Sequence, residues 1–174
     1  GNTMSRLNQI RRQQDYKGMC NMDCRIFDFV VDDKDNPKEY IINYNIRTII
    51  GETVEHRPIY QYSTRVKITF PDRYPFDPPR AVVIGGERPY HVNWYPDNTW
   101  CYGYWDPTED LWSYVRRLAK TLQFAPEYTN VNSRANRDEK VLDFWNRGLR
   151  NGLFPCDKQE LSTGDAKKPR IRYL

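Results

Sequence analysis

No stretch of this chain stays apolar over membrane-spanning length, and its first residues form no signal-peptide hydrophobic region. A spanning helix and a secretory route are therefore not expected, and the reading is of a soluble, cytoplasmic protein. Internal repeats and low-complexity tracts are missing too, so a solenoid or array is not expected. Histidine is scarce, with only His56 and His91. A zinc site would have to join the Cys20-x3-Cys24 pair to these two, a poor match to known ligand spacings. The four cysteines, Cys20, Cys24, Cys101 and Cys156, come without secretion signals and do not suggest a disulfide framework. One functional thiol among structural ones fits better. No basic–aromatic motif appears, so neither a nucleic acid nor a membrane is an expected partner.

The net charge of +4 is unevenly placed: residues 1–20 carry four basic and one acidic side chain, residues 158–174 five and two. Basic ends on a near-neutral body suit either plain solvation or docking of an acidic protein. The aromatic share of 14% argues against wholesale disorder in spite of the polar average, and 174 residues can bury one real core. The expected organisation is a single domain over residues 4–152 and a loosely held polar tail over 153–174.

Periodicity fills in the elements. Residues 4–16 read as a helix with Leu7 and Ile10 on one side, closed at Lys17-Gly18. Residues 24–31 read as a strand, and residues 32–38 as a turn. Residues 40–50 alternate, with Ile42, Tyr44, Ile46 and Ile50 on one face; residues 60–70 alternate with Tyr62, Val66, Ile68 and Phe70. Four prolines between 71 and 79 forbid regular structure, and residues 81–84 suit a fourth strand. Residues 87–107 show no periodicity, which in a compact domain points to function. Thr108 is expected to cap a helix lined by Leu111, Val115, Leu118 and Leu122. Asn136 with Glu139 suggests a capping box for a second helix, with Val141, Leu142, Trp145 and Leu149 inward. The fold class is α+β: a helix, a four-stranded antiparallel meander, an irregular loop and two helices.

Chemistry concentrates in HVNWYPDNTWC, residues 91–101. Asn93 precedes Cys101 by eight residues. A side-chain amide held near a sulfur can stabilise an oxyanion during acyl transfer. Upstream stands FPDRYPFDPPRAVV at residues 70–83, and downstream Trp105-Asp106-Pro107. In this order the three pieces resemble the centre of the ubiquitin-conjugating (E2) enzymes, where a proline-rich segment precedes an H-P-N tripeptide, a cysteine follows at this spacing and a W-x-P turn comes next.

The resemblance implies the UBC-like fold and a set of roles. Cys101 would accept ubiquitin or a ubiquitin-like protein from an E1 enzyme as a thioester, which a lysine amine then attacks. Asn93 would stabilise the oxyanion, or else bond the backbone of a turn. His91 would be chiefly a structural hydrogen-bonding residue. Ser133, in the run NSRAN, would orient the incoming lysine or cap the following helix, with Glu127 as a weaker candidate. Phe76 and Pro107 match loop positions that bind E3 ligases, and Arg6, Arg11 and Arg12 lie on the helix that faces E1. Neither a metal nor a nucleotide cofactor is implied, since E1 uses the ATP, and the chain is expected to act as a monomer. Two departures stand out. Val92 replaces the usual proline, and only three residues separate Cys101 from Trp105, so the loop after the thiol should be short. Divergence of this degree suggests a bacterial ubiquitin-like pathway. Two rival readings remain: an inactive binding module on the same scaffold, and a cysteine hydrolase pairing Cys101 with His56 or His91.

Overall fold

The computed structural model describes residues 2–22 and 25–160. Helix α1 (Asn2–Cys20) is followed by strands β1 (Phe27–Val31), β2 (Glu39–Tyr44), β3 (Thr48–Glu52), β4 (Pro58–Gln61), β5 (Thr64–Thr69) and β6 (Arg80–Gly85). Helix α2 (Leu111–Leu122), a 3-10 turn (Pro126–Tyr128) and helix α3 (Glu139–Arg150) complete the order. The main sheet is antiparallel in the order β1-β2-β5-β6.

The two long alternating stretches each break once. Asn45 leaves the sheet by donating its N–H to the Ile26 carbonyl, and β3 and β4 form a separate hairpin between β2 and β5. In β3 Ile49 is fully buried and Ile50 only partly so. Period two located the strands but could not report a change of sheet within them. Helix α1 also runs past Gly18 to Cys20, because Met19 and Met22 bury into the main core and extend the packed face. Leu7 and Ile10 stay exposed. The strand expected from residue 24 begins at Phe27, and Cys24 lies outside the described residues.

Helix starts differ by two residues from expectation. Asp110 caps α2 by accepting from the Ser113 N–H, while Thr108 is held by the Asp106 carboxylate. Asp138 caps α3 through Lys140 N–H, and Asn136 instead accepts from Asp138 N–H. All four apolar residues expected inward on α2 are buried. On α3 the buried stripe is Val141, Phe144, Trp145 and Gly148, one position round from the expected face, leaving Leu142 and Leu149 at 39% and 44% exposure.

The stripe shifts because a second core exists. Ile49, Phe124, Phe144, Trp145 and Cys156 cluster beyond the sheet, with Tyr60, Tyr90, Leu153 and Phe154 packed on them. The segment after Gly152, expected to be loose, is held as far as residue 160. Phe154 stacks on Trp145 at 4.6 Å, Cys156 is buried, Arg47 N–H donates to Asp157 at 2.8 Å, and Lys120 pairs with Glu160 at 2.9 Å. The remainder of the expected tail, residues 161–174, lies outside the described residues.

Candidate active site

The stretch without periodicity folds as a tight hairpin laid along β6. Trp94 and Trp100 pair across it, Tyr95 N–H donates to Thr99 O at 2.8 Å, and Cys101 N–H donates to Asn93 O at 2.8 Å. The outer limb docks on the sheet edge through Trp100 N–H to Ala81 O at 2.9 Å and Val83 N–H to Asn98 O at 3.0 Å. Asn98 closes the turn with φ of 73°. Side chains alternate across such a ribbon, so one face carries Trp94 and Trp100 into the core and the other carries Asn93, Tyr95, Thr99 and Cys101. The eight-residue spacing is thus the register of a hairpin that sets Asn93 and Cys101 side by side.

The Cys101 thiol is half-buried and unbridged. It opens on a cavity of about 380 Å³ lined by Pro78, Pro79, Arg80, Tyr95, Tyr102 and Gly103 among others. The chain beyond it is fixed from α2: Arg117 donates to the Tyr102 carbonyl at 2.7 Å while holding Glu109 through two hydrogen bonds at 2.7 and 2.8 Å. Gly103, with φ of 81°, turns the chain at once, as the short link to Trp105 requires. Burial raises the Tyr102 phenol, with the Cys101 thiol as the next influence. For Tyr95 the order is reversed. The thiol is the first cause of its raised pKa, ahead of burial, and both side chains line the same cavity.

Asn93 is 2% exposed and its amide is already engaged. Oδ1 accepts from the Asn130 N–H at 3.0 Å, and Nδ2 donates to the Asn130 carbonyl at 3.1 Å. That same carbonyl accepts from the Ser133 N–H at 3.1 Å. Asn93 therefore works as a strut carrying the loop at 126–136. Ser133 Oγ accepts from the Ala135 N–H at 3.1 Å, within a turn and not at the start of α3, which Asp138 caps, and Glu127 is exposed. Neither Ser133 nor Glu127 lines the cavity beside the sulfur.

His91 supports the strut. Its Nδ1 accepts from the Asn93 N–H at 3.1 Å, so the neutral ring carries its proton on Nε2, which donates to Thr129 Oγ1 at 3.0 Å. Thr129 passes a hydrogen bond on to Ala125 O. Rings of Trp94, Phe124 and Trp145 meet the imidazole edge to face, and complete burial pushes its pKa down to about 3. Both nitrogens are occupied and the ring does not line the cavity. His56 sits at the β3–β4 turn, where Nδ1 meets Glu52 at 2.6 Å and Arg147 at 3.3 Å. The hydrolase arrangement is therefore not formed with either histidine as its base. Val92 is buried and takes the place of the expected proline without disturbing the hairpin register.

Phe76 is exposed and Pro107 is exposed, on two loops tied together by Trp105 Nε1 donating to Pro75 O at 2.8 Å. The three arginines of α1 divide. Arg6 is exposed. Arg11 bonds the carbonyls of Pro107 and Glu109 and the Asp15 carboxylate. Arg12 is buried, bonding Asn8, Asn36 and the Pro37 carbonyl. Two of the three thus brace α1 against its neighbours. Sequence reasoning missed Tyr95, although counting by two from Asn93 would have placed it on the thiol face. Among the described residues no cluster of His, Cys, Asp and Glu has a metal-binding arrangement, and no helix is long and apolar enough to cross a membrane.

An N-terminal helix, a four-stranded antiparallel sheet, a thiol-bearing hairpin on the sheet edge and two closing helices make up the UBC-like fold of the E2 ubiquitin-conjugating enzymes. Two solved structures carry this comparison. A human ubiquitin-conjugating enzyme E2 G1 matches with a TM-score of 0.51 at 14% identity, over 66% of this chain and 93% of that one. Ubc12 of S. cerevisiae matches with a TM-score of 0.52 at 17% identity, over 84% of this chain and 78% of that one. No protein-family model matches the sequence, and no curated protein matches it.

Proposed function

We propose that the chain is an E2-type conjugating enzyme, which takes ubiquitin or a ubiquitin-like protein from an E1 as a thioester on Cys101 and passes it to an amine. The observation that carries this reading is the half-exposed Cys101 thiol beside an open cavity, on the same hairpin face as Asn93. A thioester is activated already, so no strong base is needed at the sulfur, and none of the cavity's lining residues is a histidine or a carboxylate. The open side leaves room for a modifier tail and an incoming lysine, which Ser133 would help orient from the loop that Asn93 holds. Phe76 and Pro107 form the surface for an E3 or substrate protein, and exposed Arg6, Leu7 and Ile10 of α1 offer a face to E1. Such an enzyme would work in the cytoplasm as a monomer.

The test is a loading reaction with the cognate E1, its modifier and ATP, resolved on a non-reducing gel. A reductant-sensitive adduct is expected for the native chain and none for Cys101→Ala. An adduct that persists in Cys101→Ala, or no adduct from the native chain, rejects the reading.

A further inference from the structure

The amide expected to serve the reacting thioester is occupied elsewhere. Both ends of the Asn93 side chain bond the Asn130 backbone, and the residue is buried. Another donor lines the cavity on which the sulfur opens. On the hairpin Tyr95 stands two positions beyond Asn93, on the same face as Cys101 and diagonal to it across the ribbon. Diagonal neighbours lie within reach of an aromatic side chain. Tyr95 lines the thiol cavity and is 40% exposed, so its side chain is accessible to a thioester held there.

Resting on the conjugation reading, we infer that Tyr95 is a catalytic residue: its hydroxyl donates a hydrogen bond to the Cys101 sulfur as the thioester breaks. The amine nitrogen bonds to the carbonyl carbon, and the carbonyl pair moves onto oxygen. When that pair returns, the carbon–sulfur bond breaks and its electrons leave on Sγ as a thiolate. The attacking nitrogen loses its proton to water. The charge arriving on sulfur is what the phenol O–H meets. Hydrogen bonds to ionised groups are the stronger kind, so a phenol within reach of the sulfur contributes most as the charge arrives there. The phenol is suited to this work because an ordinary tyrosine hydroxyl, with a pKa of about 10, keeps its proton through the neutral range. Asn93, in this account, is a positioning residue.

The experiment bypasses E1. The purified chain is acylated by exchange with a short peptide thioester ending in glycine, and the acyl group is located on Cys101 by peptide mapping. Discharge to free lysine is then followed by intact mass between pH 6 and 9. Tyr95→Phe keeps the ring and the fold, which an unchanged melting temperature verifies. It is expected to discharge at least tenfold more slowly than the native chain, by a factor that stays constant across this pH range. Equal discharge rates would overturn the role of Tyr95 and leave the conjugation reading standing. A chain that discharges this small thioester but never loads from an E1 would fail the conjugation reading and leave Tyr95 in place.

Discussion

Asn93 shows how one side chain can be read correctly for position and differently for work. Its spacing from Cys101 was legible in the sequence, because two points on a hairpin can be counted. Its partner was not, because Asn130 is 37 residues away and no local pattern announces it. Removing the strut takes the side-chain partner from the part-buried Asn130 N–H, while the Asn130 carbonyl keeps the Ser133 N–H, and losing an ordinary hydrogen bond costs about 0.5–1.5 kcal/mol. Asn93→Ala is therefore expected to lower stability by that amount in urea titrations and to raise amide exchange across residues 129–136. A slowed discharge to lysine without any rise in exchange would instead make Asn93 a donor in its own right. Tyr95 was legible in the same way, two positions beyond Asn93, once the segment is read as a ribbon with alternating faces.

At the scale of elements, strands and helices announced themselves wherever one face is apolar and the other wet. All four inward residues of α2 were legible for that reason. The helix α3 was not read as well, since a helix touching a core made partly by residues 153–156 need not present the face that period counting favours. Gly148 marks the contact. A Cβ there would stand 2.3 Å from Phe154 Cζ, well inside contact distance. Alanine improves helix propensity by roughly 1 kcal/mol over glycine. Overpacking costs typically about 1–3 kcal/mol. Crowding is expected to win: Gly148→Ala should shift the urea midpoint downward, whereas propensity alone would shift it upward.

For the whole molecule the two cores act together, and His91 lies where they meet, against Trp94 of one and Phe124 and Trp145 of the other. Its pKa falls from 6.5 to about 3 on folding. The unfolded chain thus binds the extra proton first, so this stabilisation is present above pH 6.5 and is lost as pH falls through the window down to about 3. Each pH unit within it costs about 1.4 kcal/mol. Urea unfolding between pH 7 and pH 5 is expected to show that slope in the native chain and lose it in His91→Gln. The fold class followed from element order, which survives the insertion of β3 and β4. The second core did not, since it joins Ile49 to Cys156 across most of the chain.

The ribbon with tryptophans on one side and the thiol on the other has a consequence for how such a chain can diverge. Adding or deleting one residue between Trp94 and Trp100 would turn an indole outward and drive the sulfur inward, spoiling solubility and chemistry in a single event. The length of this segment is therefore policed by folding itself. The count of eight from Asn93 to Cys101 is thereby a folding constraint as well as a chemical one.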